Sequence, residues 1–235
     1  MTEANDLPES EAQPKSAAEK RAQTMIRRQK RNLRKATAEG FLAGVAAMLR
    51  PGDLAIDCGA NVGVVTAVLA ATGADVVCFE PDPYAFGELT KAFGDHPRVD
   101  LVNAAVGVGA GTVRLMRAAN FEDNPASASV KSTILDGGRS IDGSQGIEVP
   151  LIDFPAWLAA RVAERGQVAF IKLDIEGAEL ALLEELDRRD QLKDVRCLVA
   201  ETHERKFRDL RERYRDLRAT LGKKYPKSRV NLDWI

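Results

Sequence analysis

Ile56-Asp57-Cys58-Gly59-Ala60-Asn61-Val62-Gly63 decides the fold of this chain. An apolar strand, Leu54 to Ile56, closes on an acidic residue, and a glycine-spaced turn leads into an apolar helix predicted over Val62 to Ala71. Glycine at such a turn lets the backbone bend tightly and approach a ligand with no side chain between them. The amides at the helix N-terminus then face that ligand. Strand, turn and helix of this kind build a pocket for a nucleotide-like molecule.

The spacing selects among such molecules. A dinucleotide site would read G-x-G-x-x-G, its second glycine making room for a pyrophosphate. Here the turn reads Gly59-Ala60-Asn61-Val62-Gly63, with Asp57 two residues before the first glycine. A carboxylate there repels phosphate and suits an ammonium group, which favours a cofactor bearing an amino acid, namely S-adenosylmethionine. A second predicted strand, Val76-Val77-Cys78-Phe79-Glu80, ends in another carboxylate about 20 residues further on, where an acceptor for ribose hydroxyls is required.

Strand and helix patterns alternate outward from this point. Val62 to Ala71 and Tyr84 to Phe93 read as helices, and Val76 to Glu80 and Val99 to Ala105 as strands. Such alternation predicts right-handed crossovers and a mostly parallel sheet. Thr112 to Met116 and Ile147 to Ile152 read as short extra strands, and Phe154 to Arg165 as a helix with Trp157 on its core side. Val168 to Leu173 is nearly continuously apolar, as a strand covered on both faces must be. Ala178 to Arg188 and Phe207 to Leu221 follow as helices, and Val195 to Ala200 and Arg229 to Ile235 as strands. Residues 117–147 carry Asn124-Pro125, Gly137-Gly138 and few apolar anchors, which predicts a long loop facing the substrate. Before the first strand, a disordered stretch over residues 1–18, a helix from about Ala18 to Lys35 and a second helix capped by Thr37 are expected. The domain division is therefore an N-terminal arm, 1–36, polar and then basic, followed by one domain over 37–235.

Three stretches carry a resemblance to a known family: Ile56 to Gly63, Phe79-Glu80-Pro81-Asp82-Pro83, and Ile171-Lys172-Leu173-Asp174-Ile175-Glu176-Gly177-Ala178-Glu179. In that order and at those separations they resemble the FkbM family of S-adenosylmethionine-dependent methyltransferases, over about residues 52–204 and more loosely beyond, but not over 1–36. The resemblance implies an α/β class I (Rossmann-like) methyltransferase fold. Its core is a mostly parallel twisted sheet of seven strands, ending in an antiparallel pair, with helices on both faces. It also implies O-methylation of a hydroxyl on a sugar, glycan precursor or small natural product.

Ligands of an open parallel sheet bind beyond the carboxyl ends of its strands. Asp57, Glu80, Asn103, Asp174 and Glu201-Thr202-His203 all stand there. By resemblance, Asp57 and the turn with Gly59, Asn61 and Gly63 hold the methionine part, Glu80 the ribose hydroxyls, Asn103 and Ala104 the adenine edge, and Asp174 the methionine amine. His203 is the expected general base, because an imidazole titrates near working pH. Glu176 and Asp174 are the other catalytic candidates. Glu179, in a helix's first turn, is expected to complement the helix dipole, and His96 to lie on the surface. Asp174, Glu176 and Glu201 are hard oxygen donors of the kind that hold Mg²⁺, but their spacing does not single out a metal, and none is expected.

The chain has 235 residues, 45% of them hydrophobic, enough for one sizeable core and too few for two comfortable domains. No apolar run approaches the roughly 20 residues of a membrane-spanning helix. The acidic, polar N-terminus predicts no secretory signal, and three cysteines without metal spacing read as reduced and buried, so a cytoplasmic location is expected. The net charge of −1 conceals two basic ends. In the tail, Asp209, Glu212 and Asp216 interleave with arginines, as on a salt-bridged helix face. The arm from Lys20 to Lys35 has no such compensation and points to an anionic partner, whether nucleic acid, acidic glycan or phospholipid. A nucleic-acid methyltransferase is therefore the competing enzyme reading. Against it, base methylation favours Asn/Asp-Pro-Pro-aromatic where this chain has Asp174-Ile175-Glu176-Gly177. A non-catalytic binding protein is the third reading, opposed by the intact Asp57, Gly59, Gly63, Glu80 and Asp174.

Overall fold

The structure, a computed structural model, describes residues 16–118, 121, 125, 129, 132–135 and 141–234. In chain order its elements are α1 (Ala17–Met48), β1 (Leu54–Cys58), α2 (Val64–Ala70), β2 (Asp75–Phe79), α3 (Pro83–Phe93), β3 (Val99–Val102), β4 (Ala105–Gly107), β5 (Gly111–Ala118) and β6 (Ile141–Asp153). There follow α4 (Phe154–Arg165), β7 (Val168–Leu173), α5 (Glu179–Arg188), β8 (Val195–Glu201), α6 (Arg211–Lys224) and β9 (Val230–Trp234).

The main sheet has the order β3-β2-β1-β7-β8-β9, and every pairing in it is parallel. β1 and β7 are buried along their whole length because helices cover both faces. The pleat divides β1 between two cores. Leu54, Ile56 and Cys58 pack with Leu158 of α4, Leu182 of α5 and Tyr214 of α6. On the other face, Ala55 packs with Leu42 and Val45 of α1 and Leu69 of α2. Trp157 belongs to the first core, edge-on to Phe79 at 5.1 Å and stacked on Phe154 at 5.8 Å. Full burial of side chains such as Phe79 and Phe154 stabilises by about 1.5–3 kcal/mol each.

From β1 the chain builds outward to β3, then crosses back to lay β7 on the other side of β1. That reversal opens a crevice where β1 and β7 end, which is where open α/β sheets bind ligands.

Several expectations need correction. Among the described residues the sheet has six strands, all parallel, and β9 is the single terminal strand evident in the sequence, where the family's seven-stranded core ends in an antiparallel pair. The two extra strands are no part of it: with β4 they form a second sheet, β4-β6-β5, in which β5 and β6 are antiparallel. The strand expected over Val99 to Ala105 is broken at Asn103, so that β3 stays in the main sheet while β4 joins the second. β5 and β6 also run further into the expected loop, shortening it to 119–140. Finally, α1 is a single helix. A capping box at Ser16 and Glu19 starts it, and Thr37 does not interrupt it because its hydroxyl donates to the Leu33 carbonyl at 2.9 Å within the helix. Of the disorder expected over residues 1–18, Ser16 to Ala18 instead cap and begin α1, and residues 1–15 lie outside the described residues.

Candidate functional site

The turn after β1 is shaped by close approach. Gly59 has φ of +75°, and a Cβ there would collide with the backbone carbonyl of Asp174. Only glycine lets the ends of β1 and β7 meet, tied by the Asp174 N–H donating to the Cys58 carbonyl at 3.1 Å. Gly63, with φ of +88°, begins α2, and a Cβ on it would press into Phe93 and Leu89 of α3. Asn61 is also left-handed, with φ of +49°.

Above this turn lies a cleft of about 630 Å³ that opens to solvent. It is lined by Gly59, Asn61 and Asp174 from the turns after β1 and β7 and by Glu80, Ala104 and Val106 from the ends of β2 and β3 and from β4. Glu80 is 5% exposed, and its carboxylate accepts from the amides of Asn61 and Asp82, each at 2.8 Å. Burial pushes its pKa up to about 7. Ala104 faces the cleft, but Asn103 does not: it is exposed, and its amide donates to the Glu80 carbonyl at 2.8 Å. Asn103 therefore fixes the end of β2 and does not line the cleft. Described parts of the 119–140 segment fasten to the rim. Asn61 Nδ2 donates to Ser129 Oγ at 3.3 Å, Ser132 Oγ to Asp82 at 3.3 Å, and Thr133 Oγ1 to the Glu176 carbonyl at 2.7 Å. Arg117 of β5 grips the fully buried Asp82 at 3.0 Å and lies over the Phe121 ring at 4.0 Å.

Asp57 stands apart from the cleft. Expected to face a ligand ammonium, it is 0% exposed, accepts from Thr66 Oγ1 at 2.8 Å and pairs with Lys172 Nζ at 3.1 Å. Lys172, to which sequence reasoning assigned no role, is the keystone of the cleft floor. Its ammonium donates to the Gly59 carbonyl at 2.8 Å and lies 3.5 Å from Asp174 Oδ2. Burial alone would depress its pKa, yet the Asp57 and Asp174 carboxylates hold it above the ordinary lysine range. Asp174 is thus the carboxylate that the floor presents to the cleft. Burial raises its pKa above the usual carboxylate value, against the pull of Lys172.

The second charge cluster lies at the ends of β7 and β8. Glu179 does not serve the helix dipole from the surface. It is 0% exposed and accepts from Gly177 N–H at 2.7 Å, Tyr214 Oη at 2.7 Å and His203 N–H at 3.1 Å. His203 Nδ1 is 3.0 Å from the same carboxylate, and Nε2 is 3.4 Å from Glu176 and 4.0 Å from Glu201. Burial alone would lower the imidazole pKa, but Glu176 and Glu179 push it up to about 11. That corrects the expected titration near working pH, because an imidazolium has no lone pair with which to take a proton. Glu176 is also paired with Lys206 at 2.8 Å, and His203 and Lys206 keep its pKa low despite burial. Burial and the nearby Asp174 raise Glu201 to about 8.

Asp174, Glu176 and His203 bring ligand atoms within 4.8 Å of one another. They fit a divalent cation poorly, since His203 is held as a cation and Glu176 already balances Lys206. In the tail, Lys224 pairs with Asp187 at 2.7 Å and Arg218 with Asp233 at 2.7 Å, acids on other elements, and of the interleaved acids Asp216 pairs with Arg215 at 3.2 Å.

Comparison with known proteins accords with this geometry. At 29% identity over 181 residues, the chain is similar to the 31-O-demethyl-FK506 methyltransferase FkbM of Streptomyces tacrolimicus, covering 66% of this chain and 67% of that protein. Two solved S-adenosylmethionine-dependent methyltransferases overlap it in part. One, from Agrobacterium tumefaciens, is 22% identical with a TM-score of 0.25, covering 30% of this chain and 23% of its own. The other, a TehB-like enzyme from Corynebacterium glutamicum, is 25% identical with a TM-score of 0.23, covering 34% and 42%. The chain thus spans less than half of either solved chain, and overlaps that small carry no argument about fold, which rests on the sheet order above. The model of the methyltransferase FkbM domain matches residues 57–227, from the acid of the glycine turn to the loop before the last strand, and the chain belongs to the FkbM methyltransferase family.

Proposed function

We propose that the cleft binds S-adenosylmethionine and that the chain moves its methyl group to a hydroxyl of a small acceptor such as a sugar, glycan precursor or natural product. One observation carries this: a buried carboxylate at the end of β2, Glu80, faces the same cleft as the glycine turn of β1 and Asp174 of β7. The donor set fits that cofactor. Glu80 has acceptor capacity left for two ribose hydroxyls, Ala104 and Phe79 offer an apolar seat for a base, and the turn from Gly59 to Gly63 leaves its backbone open for the amino-acid end. When bound, S-adenosylmethionine supplies an electrophilic methyl on a sulfonium.

The remaining work falls to the chain's own residues. An acceptor oxygen must be aligned with the methyl group and must lose its proton as the new bond forms. Asp174 takes that proton: it faces the cleft, and its raised pKa brings it closer to working pH than an ordinary carboxylate. Lys172 positions it from behind. Glu176 lines the cleft beside it, oriented by Lys206 and His203, so His203 is a positioning residue. Support for an oxygen acceptor comes from the relative in Streptomyces tacrolimicus, whose name describes an O-methyltransferase.

Calorimetry with S-adenosylhomocysteine tests the cofactor, and turnover with labelled cofactor and a panel of hydroxylated acceptors tests the reaction. Asp174→Asn should keep cofactor affinity within a few-fold and lower turnover by roughly 10²- to 10⁴-fold. A folded protein that gives no binding heat with either cofactor form refutes the whole reading. Unchanged turnover in Asp174→Asn refutes the assignment of the base.

A further inference from the structure

The first two-thirds of α1 take no part in the core. Ala38, Leu42 and Val45 anchor the helix to the sheet, whereas Ala17 to Thr37 stand exposed apart from the half-buried Gln23. At 1.5 Å per residue that is about 30 Å of helix. Its side chains are segregated. With 3.6 residues per turn, Ala18, Ala22, Met25, Ile26, Leu33 and Ala36 fall within an arc of about 100°, interrupted by Gln29, and the eight cations from Lys20 to Lys35 occupy the opposite half of the wheel. Met25, Ile26 and Leu33 are 72%, 51% and 66% exposed, which for large apolar side chains on one stripe marks a surface meant to be covered. Lys35 alone among those cations has an acidic partner among the described residues, Glu39 at 3.6 Å.

We propose that this helix docks the enzyme on an anionic lipid surface, lying in the plane of the headgroups. Among the described residues no helix is long and apolar enough to cross a membrane, and the proposed contact is peripheral. Charge chooses the occupant. Arg21 and Arg28 border the apolar stripe on one side and Lys30 on the other, so a second copy of the helix would set like charges against each other across the seam. An anionic bilayer accepts both faces: the apolar stripe sinks below the headgroups while the Lys and Arg stems reach up to the phosphates. Nucleic acid would satisfy the cations and leave Met25, Ile26 and Leu33 in water. The inference stands independently of the proposed reaction.

Flotation of the full chain with vesicles tests it, using phosphatidylcholine alone or with about 30% phosphatidylglycerol. Binding should be at least about ten-fold stronger to the anionic vesicles and should weaken with added salt. The pairs Ile26→Glu with Leu33→Glu, and Arg27→Glu with Arg34→Glu, should each lower it at least about ten-fold. Both pairs lie on exposed helix and none of the four residues lines the cleft, so unchanged binding of S-adenosylhomocysteine and an unchanged melting temperature certify their folding. Three results overturn the proposal: no preference for anionic vesicles; a dimer that Ile26→Glu with Leu33→Glu dissociates while vesicles stay unbound; or duplex DNA binding that outcompetes vesicles and survives that same pair.

Discussion

Replacing His203 by Gln asks whether this imidazole is a base or a buried cation. The ring is enclosed by Glu179 at 3.0 Å and Glu176 at 3.4 Å, with Glu179 fully buried. Removing one partner of such a pair costs about 3–5 kcal/mol. For a chain of this size that lowers the melting temperature by about 10 °C. A charge-neutral packing role would also destabilise, so the pH dependence is the discriminating measurement. His203 holds its proton up to about pH 11 in the folded chain, against an ordinary value of 6.5. Its stabilisation is therefore complete below pH 6.5 and is lost as pH rises toward 11. Within that window the folded state binds one more proton than the unfolded state, giving a slope of about −1.4 kcal/mol per pH unit. Between about pH 7.5 and 9 the wild type should thus lose about 2 kcal/mol more than His203→Gln, measured by urea unfolding at both pH values. Parallel losses in the two proteins would falsify the buried-cation account. So would a turnover limb in the wild type near pH 6.5 that the variant lacks.

Three further outcomes follow from the same geometry. Lys172→Met strands the buried Asp57 carboxylate and should cost about 3–5 kcal/mol, much of it restored by adding Asp57→Asn; a double variant no more stable than Lys172→Met would refute the pairing. Gly59→Ala forces a Cβ into the Asp174 carbonyl at a left-handed φ, so cofactor binding should disappear or the fold be severely destabilised, and a normal melting temperature with normal calorimetry would contradict the close approach. Glu80 stays protonated up to about pH 7, so its ionised form, the better acceptor for two hydroxyls, forms only above that. Affinity for S-adenosylhomocysteine should therefore rise by up to about ten-fold per pH unit toward 7 and then level off, and Glu80→Gln should abolish the trend; an affinity independent of pH in the wild type would refute it.

The cleft was legible in the sequence wherever residue type is unusual for its local setting. Glycines at 59 and 63 and an acid at the end of an apolar strand have few other uses, and the sheet that brings Glu80 and Asp174 together follows from alternation alone. What escaped was pairing at long range. Lys172 stands directly opposite Asp57 in the β1–β7 register, but 114 residues lie between them. A lysine in a strand buried on both faces was the available signal, since only an internal carboxylate tolerates it there. Glu179 looked like an ordinary first-turn acid because its partners, His203 and Tyr214, come from beyond β8 and from α6. The break at Asn103 was hidden for a related reason: it lies in which sheet β4 joins, which β6 decides from the far side of the 119–140 segment.

These buried cations would seem to oppose binding of a positively charged sulfonium, yet the arithmetic of the clusters runs the other way. Lys172 is flanked by two carboxylates, Asp57 and Asp174, and His203 with Lys206 is faced by three, Glu176, Glu179 and Glu201. The Lys172 cluster holds one carboxylate more than it has cations; in the second, burial and Asp174 raise Glu201 to about 8, so near neutral pH Glu176 and Glu179 balance His203 and Lys206. Without the cations, so many carboxylates in so little space would take up protons and lose both charge and fixed orientation. With them, Glu176 stays ionised at a low pKa despite its burial, and Asp174 is held at the cleft wall by an ammonium behind it. The cations are thus what permits a negative wall to exist in a buried site. Under the proposed function, a wall of that sign would favour a sulfonium modestly over the neutral thioether left after methyl transfer, and so would weaken the grip on the product.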